Sequence, residues 1–343
     1  MGQLMDDPRE AGPRLLDVAA RAGVSEATVS RVLNGKSGVS ALTRQNVLAA
    51  LDAMGYERSA RPRRSTAGLV GLITPELSNP IFPALAQVIE QILARHDYIP
   101  VLCTQTPGGS TEDELVEMLV DRGVTGIVFV SGMHADTTAD HERYTRIAAR
   151  GVPFVLIDGF SDRISAPFVS VDDAAAMRMA VEHLAELGHE RIGLALGPPR
   201  FVPVARKVDG FTEAMSRRGL DVTGLVEHSL FTVEGGQAAA AALLDRGCTA
   251  IVCGSDVMAF GAIRTVRARG LEVPRDVSVV GFDDSPMTAF TDPPLTTLRK
   301  PVDAMGAAAV DALLDEINGN TAHRAEFVVQ PELVLRGSTG RRA

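Results

Sequence analysis

Apolar positions near the N-terminus of this 343-residue chain recur at helical spacing in three short segments. Gly23 separates the first two segments and supplies a tight turn, while Ser25 and Ser40 precede the second and third as helix N-caps. This pattern predicts a helix-turn-helix followed by a third helix over about residues 41–54. The residues expected to form its small core are Val18, Ala19, Ala22, Val24, Val29, Val32, Leu33, Val47, Leu51, Met54 and Tyr56.

From residue 69 onward, short apolar runs alternate with segments of helical periodicity. Runs of this kind bounded by Gly or Pro are typical of buried strands in parallel sheets with crossover helices between them. We therefore predict an all-α headpiece followed by an α/β domain of two doubly wound parallel-sheet lobes. The strand candidates are LVGLI, IPVLC, GIVFV, FVLID, FVSV, RIGLAL, AIVC and VSVVGF, and long helices are expected at about 83–95, 174–187, 237–245 and 302–317.

These elements divide the chain into three parts. We expect an N-terminal arm and helix-turn-helix domain over residues 1–57, a linker over 58–67 and a two-lobed α/β domain over 68–343. Within that domain, one lobe should hold about 68–170 plus 302–325, and the other about 171–295 plus 326–340.

The outward face of the second headpiece helix is short and polar. It presents Glu26, Ala27, Ser30, Arg31 and Asn34, and the guanidinium of Arg31 can reach guanine O6 and N7 in a major groove. A generic two-helix hairpin is the alternative interpretation of this spacing. If the segment binds DNA, Thr28, Ser30 and Asn34 should position the helix on the phosphate backbone, with Glu26 and Ala27 tuning base choice. Ser25, the cap of this helix, is also a candidate for DNA contact.

The charge distribution favours DNA binding more than the net charge does. The chain carries a net charge of −9, which alone argues against a nucleic-acid partner. Residues 1–66, however, hold ten Lys and Arg against seven Asp and Glu, while the remainder holds 24 against 36. Four linker arginines add to this basic surplus beside the headpiece and are expected to contact phosphates, unless the linker is merely solvated: Arg58, Arg61, Arg63 and Arg64.

The remaining composition is that of a soluble globular protein, with 45% hydrophobic and 22% charged residues. Cys103, Cys248 and Cys253 lie in or beside apolar runs and are expected to be reduced core thiols. The N-terminus lacks the pattern of a signal peptide, and uncharged apolar runs stay shorter than a membrane span. We therefore expect a cytoplasmic protein with no membrane partner, metal or other cofactor.

Polar side chains follow several of the predicted strands. Open parallel sheets bind ligands beyond the carboxyl ends of their strands, which selects Ser131, Asp158, Ser255 and Asp283. Carboxylates there can accept sugar hydroxyl groups, and aromatic rings can cover the apolar face of a sugar. Phe82 and Phe231 are candidates for such rings, although a lone phenylalanine more often belongs to a core.

The amino-acid sequences of several segments resemble those of the LacI/GalR family of bacterial transcription repressors. The headpiece reads DVA-x-x-AGVS-x-x-TVSRVLNG. Further matches are SNPIF at 78–82, EHLAELGHERIG at 182–193, VDGF at 208–211, VPRDVSVVGFDD at 273–284 and PPLTTLRKP at 293–301. The resemblance implies a periplasmic-binding-protein-like effector domain with the ligand between its lobes. It also maps Asp158, Asp283, Arg206 and Lys207 onto effector positions.

The chain departs from the family pattern at several positions. Lys207 stands where arginine is common, and Ser255 where many relatives have asparagine. The family's hinge helix usually carries a leucine wedge for the minor groove, but here no leucine lies between Leu51 and Leu69, and Pro62 tolerates only a first helical turn. We therefore expect the linker to contribute mostly charge.

The sequence thus predicts a homodimeric repressor that binds a near-palindromic double-stranded operator under the control of a small-molecule effector. A mono- or oligosaccharide is the favoured effector, since RRSTAGLVGLITPELSNPIFP and VLCTQTPGGSTEDE resemble phrases of maltose-pathway repressors. A purine or a phosphoprotein corepressor is an alternative, and a sugar-binding transport protein is the alternative from another class.

An enzyme is not expected. The GKS at 35–37 lacks the upstream glycine of a P-loop, and the His-Glu pairs at 141–142 and 189–190 lack the second histidine of a zinc helix.

Overall fold

The computed structural model describes residues 15–33, 38–54, 56, 67–105, 108–320 and 324–342. The chain forms two compact units, residues 1–65 and residues 66–343. The predicted N-terminal arm and nearly all of the linker lie outside the described residues.

The first unit is a three-helix module. Its helices are α1 (Leu15–Ala22), α2 (Glu26–Leu33) and α3 (Ala41–Ala53). Gly23 adopts a φ of +65° between α1 and α2, a conformation that glycine reaches at little cost. The Ser40 hydroxyl accepts a hydrogen bond from the backbone N–H of Thr43 at 3.1 Å, so the predicted cap of α3 is confirmed. The buried core contains Val18, Ala19, Val29, Val32, Val47, Ala50 and Leu51, with Tyr56 packed against it.

Within the described residues, the second unit contains twelve strands that form two six-stranded sheets. In chain order they are β1 (Gly68–Thr74), β2 (Tyr98–Thr104), β3 (Gly126–Val130), β4 (Phe154–Ile157), β5 (Phe168–Val171), β6 (Ile192–Leu196), β7 (Val226–His228), β8 (Ala250–Cys253), β9 (Ser278–Asp283), β10 (Thr296–Arg299), β11 (Glu326–Val329) and β12 (Glu332–Val334).

In the part of this unit that the structure describes, eight helices connect and cover the strands. They are α4 (Ile81–Arg95), α5 (Glu112–Asp121), α6 (Glu142–Ala149), α7 (Asp173–Glu186), α8 (Val202–Arg217), α9 (Val233–Asp245), α10 (Asp256–Ala268) and α11 (Val302–Ile317), with short 3-10 turns at Met133–Ala135 and Pro286–Phe290.

The two sheets define two lobes, as predicted. The first lobe has the strand order β11-β5-β4-β3-β1-β2 and is parallel throughout, and the second has the order β12-β10-β9-β8-β6-β7, in which only β12 runs antiparallel. Strands β3, β4, β6, β8 and β9 are buried along their whole length. The eight predicted apolar runs all form strands.

One expected lobe boundary is wrong. Residues 326–329 were assigned to the second lobe, but they form β11, which pairs in parallel with β5 at the edge of the first sheet. Only residues 332–334 return to the second sheet, where β12 pairs with β10. The described chain therefore passes between the lobes three times, at residue 172, at 300–301 and at 330–331.

The three cysteines are buried and unpaired. Burial raises the pKa of each thiol, which makes all three poor nucleophiles. The prediction of core thiols is confirmed.

Candidate functional site

Helix α2 presents the candidate DNA-contacting residues of the headpiece. Glu26, Ala27 and Arg31 are exposed, and Thr28 and Ser30 are half-buried. Ser25 lies at the N-terminal end of the helix, where its hydroxyl accepts a hydrogen bond from the Thr28 N–H at 3.3 Å.

The remaining candidates for DNA contact lie outside the described residues: Asn34, Arg58, Arg61, Arg63 and Arg64.

A cavity of about 470 Å³ lies between the two lobes, within the usual range of small-molecule sites. Its polar wall is built at the carboxyl ends of the strands of both sheets, as the topology of open parallel sheets predicts. Seven of the eight predicted effector residues line it: Phe82, Ser131, Asp158, Lys207, Phe231, Ser255 and Asp283.

Three of these residues end their strands in an uncommon backbone conformation. Ser131 follows β3 with φ +45°, Asp158 follows β4 with φ +61°, and Asp283 ends β9 with φ +112°. Such conformations are costly for non-glycine residues and cluster at functional sites. They turn the side chains at the ends of three strands toward one cavity.

Ion pairs organise the charged wall. Lys300 donates to Asp158 Oδ2, and Lys207 donates to Asp173 Oδ1. The Lys207 ammonium also lies 4.1 Å from the centroid of the Phe282 ring. Burial opposes ionisation of Asp158, but the charge and hydrogen bond of Lys300 outweigh it and lower the pKa of that carboxyl.

Asp283 differs from these paired carboxylates. It is 8% exposed, and within the described part of the chain its carboxyl has no hydrogen-bond donor. Burial, reinforced by the negative charge of Asp256, raises the pKa of Asp283 well above its ordinary value. A buried acceptor that lacks a partner and faces a cavity can receive a hydroxyl group from a ligand.

The opposite wall is largely apolar. Phe82 on α4, Phe201 before α8 and Phe231 before α9 contribute aromatic rings, and Leu230 is 62% exposed at the same cavity. Gly197 makes room for the Phe231 ring, because a Cβ atom at position 197 would lie 2.0 Å from Phe231 Cε2.

Arg206 is the predicted effector residue that does not line the cavity. Its guanidinium donates to both carboxylate oxygens of Glu326 on β11, at 2.6 and 2.9 Å. Successive residues of a helix point about 100° apart. Lys207 therefore turns into the cavity while Arg206 turns toward β11, so the structure places Arg206 outside the wall of the cavity that was predicted to hold the effector.

Two neighbouring aspartates at strand ends have structural partners. Asp256 accepts hydrogen bonds from Thr297 Oγ1 at 2.6 Å and the Ser285 N–H at 2.7 Å. Asp284 pairs with Arg299 and Arg336 at 2.7 and 2.6 Å. Both carboxyls fix loops next to the cavity without lining it.

The structure adds six charged or aromatic cavity residues that the sequence did not single out: Glu76, Asp173, Arg200, Phe201, Phe282 and Lys300. Glu76 and Asp173 each follow a strand by two residues, so the strand-end rule could have found them. Lys300 follows β10, a strand that was not predicted.

Other kinds of site receive no support from the described residues. They contain no group of three His, Cys, Asp or Glu side chains arranged to hold a metal ion. A separate search of the same residues finds no helix long and apolar enough to cross a lipid bilayer.

A helix-turn-helix module joined to a two-lobed domain with a cavity between the lobes defines a ligand-responsive DNA-binding regulator. Residues 14–59 match the model described as bacterial regulatory proteins, lacI family. Residues 181–339 match that of the periplasmic binding protein-like domain.

Similar proteins cover almost the whole chain. The transcriptional regulator MalR of Streptomyces coelicolor is 69% identical over 331 residues, 95% of this chain and 96% of that protein. The structure of a CelR–cellobiose complex is 32% identical with a TM-score of 0.71, covering 95% of this chain and 99% of that one. A lac repressor dimer bound to operator and the anti-inducer ONPF is 28% identical with a TM-score of 0.69, covering 96% and 100%.

The chain belongs to the LacI family of bacterial transcription regulators, and it is not an enzyme.

Proposed function

We propose that this chain is a homodimeric repressor that binds a near-palindromic operator through α2 and responds to a neutral saccharide in the cavity between its lobes. The observation that carries the proposal is the composition of that cavity. Among the described residues, four carboxyls and four phenylalanines line it, and its three cationic residues are all paired with carboxylates.

The carboxyls suit a ligand rich in hydroxyl groups. Asp283 has no donor within the described chain, and Glu76, half-buried at the same cavity, has none either. A saccharide presents several hydroxyl donors at once, and its apolar C–H faces can lie on Phe82, Phe201 or Phe231. This pairing of acceptors with aromatic rings favours a sugar over a flat purine.

The paired cations argue against an anionic ligand. Lys300 and Lys207 are held by Asp158 and Asp173, and Arg200 is held by Asp136 at 2.7 Å. A sugar phosphate would have to displace one of these carboxylates to gain a charged partner, and it would face the carboxyls that remain. We therefore assign a neutral saccharide of the malto-oligosaccharide type, an assignment that the similarity to MalR also supports.

The DNA contacts follow from the exposed face of α2. Arg31 supplies the main base contact, Glu26 and Ala27 tune it, and Ser25, Thr28 and Ser30 position the helix. The effector changes operator affinity because it binds one arrangement of the lobes better than another.

Calorimetry of the full chain tests the effector class. The panel is maltose, maltotriose, cellobiose, glucose 6-phosphate and a purine base, each injected without DNA. We expect binding heat with a neutral saccharide and none with the phosphate or the base. Heat with the purine alone would replace the sugar assignment. If all five remain silent and operator binding instead depends on a phosphorylated protein, the effector is a corepressor protein.

A further inference from the structure

Besides the three chain crossings and the Lys300–Asp158 pair at the second of them, two further ion pairs join the lobes. Arg206 on α8 of the second lobe donates twice to Glu326 on β11 of the first lobe. Arg200, between β6 and α8 of the second lobe, donates through Nε to Asp136 Oδ2 of the first lobe at 2.7 Å. We call these contacts the cross-lobe ion pairs.

Backbone contacts strengthen the second pair. Residues 136 and 201 form an isolated antiparallel β-bridge. The N–H and the hydroxyl of Thr137 both donate to the Arg200 carbonyl, at 2.9 and 2.8 Å. Asp136 is also fixed on its own lobe, since Thr138 donates to its Oδ1 through the backbone N–H and the hydroxyl. A rigidly held carboxylate loses little side-chain entropy when it pairs.

The cross-lobe ion pairs lie beside the cavity. Arg200 and Phe201 line it, and Arg206 is adjacent in sequence to Lys207, which also lines it. The Arg206–Glu326 pair is bidentate and partly buried, with side chains 31% and 15% exposed. Bidentate pairs fix orientation as well as distance, so this contact holds α8 against β11 in one relative position.

We propose that Arg206 and Arg200 are positioning residues that hold the two lobes around the cavity and thereby set the affinity for the effector. This inference rests on the proposed function only in naming a saccharide as the probe.

The physical reason is a population shift. A ligand that contacts both lobes binds only the arrangement in which the walls of the cavity face each other. Its apparent dissociation constant rises as that arrangement becomes less populated. Each cross-lobe ion pair stabilises this binding-competent arrangement of the lobes before the ligand binds.

The first test is effector affinity, measured by calorimetry of the full chain with maltotriose. Arg206→Gln should weaken binding by about 3- to 10-fold, the range expected for loss of a partly buried bidentate pair. Arg217→Gln is the matched control, because Arg217 lies on the same helix and pairs within it, with Glu213 at 2.5 Å. The control should bind as the unmodified chain does.

Charge reversal separates the ion pair from a local packing effect. Arg206→Glu alone places two carboxylates together across the lobes and should weaken binding more than Arg206→Gln does. Adding Glu326→Arg should restore most of the affinity, because the pair is then rebuilt in the opposite sense. Failure of the double variant to recover affinity, while its melting temperature is normal, counts against the proposal.

The second test needs no ligand. The Thr137 N–H is bonded across the lobes to Arg200, so hydrogen exchange of a peptide containing residue 137 reports lobe opening. Arg206→Gln, which alters a different contact, should accelerate that exchange about 3-fold or more, while peptides from the buried strand β3 stay unchanged.

The two tests distinguish a failure of the effector assignment from a failure of the proposed role of the cross-lobe ion pairs. If no saccharide binds the unmodified chain, the effector assignment fails, and the hydrogen-exchange result alone decides the inference. Unchanged exchange in Arg206→Gln and in Arg200→Gln would overturn it.

Discussion

Replacing Asp283 is the sharpest test of the effector site. The carboxyl is buried, ends β9 and faces the cavity without a hydrogen-bond donor from the described chain. Asp283→Asn keeps the shape and one carbonyl acceptor but removes the charge. Since hydrogen bonds to charged groups are worth about 1.5–3 kcal/mol against about 1 for neutral ones, we expect effector binding to weaken by about 1–2 kcal/mol.

Complete removal of the Asp283 carboxyl should weaken effector binding further. Asp283→Ala deletes the acceptor and leaves ligand hydroxyls unpaired in a buried site, a loss of about 2–5 kcal/mol. At 1.4 kcal/mol per factor of ten, this corresponds to roughly 30- to 4000-fold weaker binding. The φ of +112° strains alanine as well, so asparagine is the cleaner probe and melting temperatures must be measured for both variants.

The assay is calorimetry with maltotriose, run at several pH values. Because burial and then Asp256 raise the pKa of Asp283, its charged acceptor is lost as the pH falls, and affinity should fall with it. Asp283→Asn should lack this contribution. Asp311→Asn, an exposed position on α11, is the control. If Asp283→Asn binds as tightly as the unmodified chain and shows the same pH profile, the carboxyl is not an effector contact.

Three further predictions follow from single residues. Arg31→Ala should weaken specific operator binding by roughly 1–3 kcal/mol and leave random-sequence binding nearly unchanged, measured by gel shift; equal losses would show a phosphate contact. Burial raises the pKa of Asp256 to about 6, so folding favours its protonated form. The free energy of unfolding should be greatest below the ordinary aspartate pKa and fall by up to ~3 kcal/mol as the pH rises through 6. Urea unfolding of Asp256→Asn should lack this decline. The same pH dependence in the variant and the unmodified chain would mean that Asp256 ionises normally. Gly210→Ala places a Cβ 2.5 Å from Ala174 Cα, between α8 and α7, and should cost about 1–3 kcal/mol by urea unfolding; unchanged stability would mean that the helices separate freely.

Apolar runs revealed most of the buried strands and one edge strand, β2, but they missed the inner strand β10 and the other three edge strands. The predicted strands include β3, β8 and β9, whose residues are buried on both faces and therefore read as continuous apolar segments. The unpredicted strands β7, β11 and β12 are short, contain charged residues and lie at or beside sheet edges. Their pairing depends on long-range contacts that a local pattern does not encode.

The same limit governed the candidate site. The strand-end rule selected Ser131, Asp158, Ser255 and Asp283, which all line the cavity, because the strands before them were recognised. It missed Lys300 because β10 was not recognised, although the segment containing it had been noticed. Choosing between Arg206 and Lys207 required the orientation of α8 relative to β11, which only the packing of the two lobes provides.

The central claim is that a ligand in the cavity between the lobes controls operator binding, and fluorescence anisotropy of the full chain on labelled operator DNA tests it directly. The operator dissociation constant measured with saturating maltotriose should differ by about 5-fold or more from the constant measured without it, which is the lower end of usual allosteric coupling. The change should require a much higher saccharide concentration in Asp283→Asn. An operator dissociation constant that stays the same while calorimetry shows the saccharide bound would contradict the account.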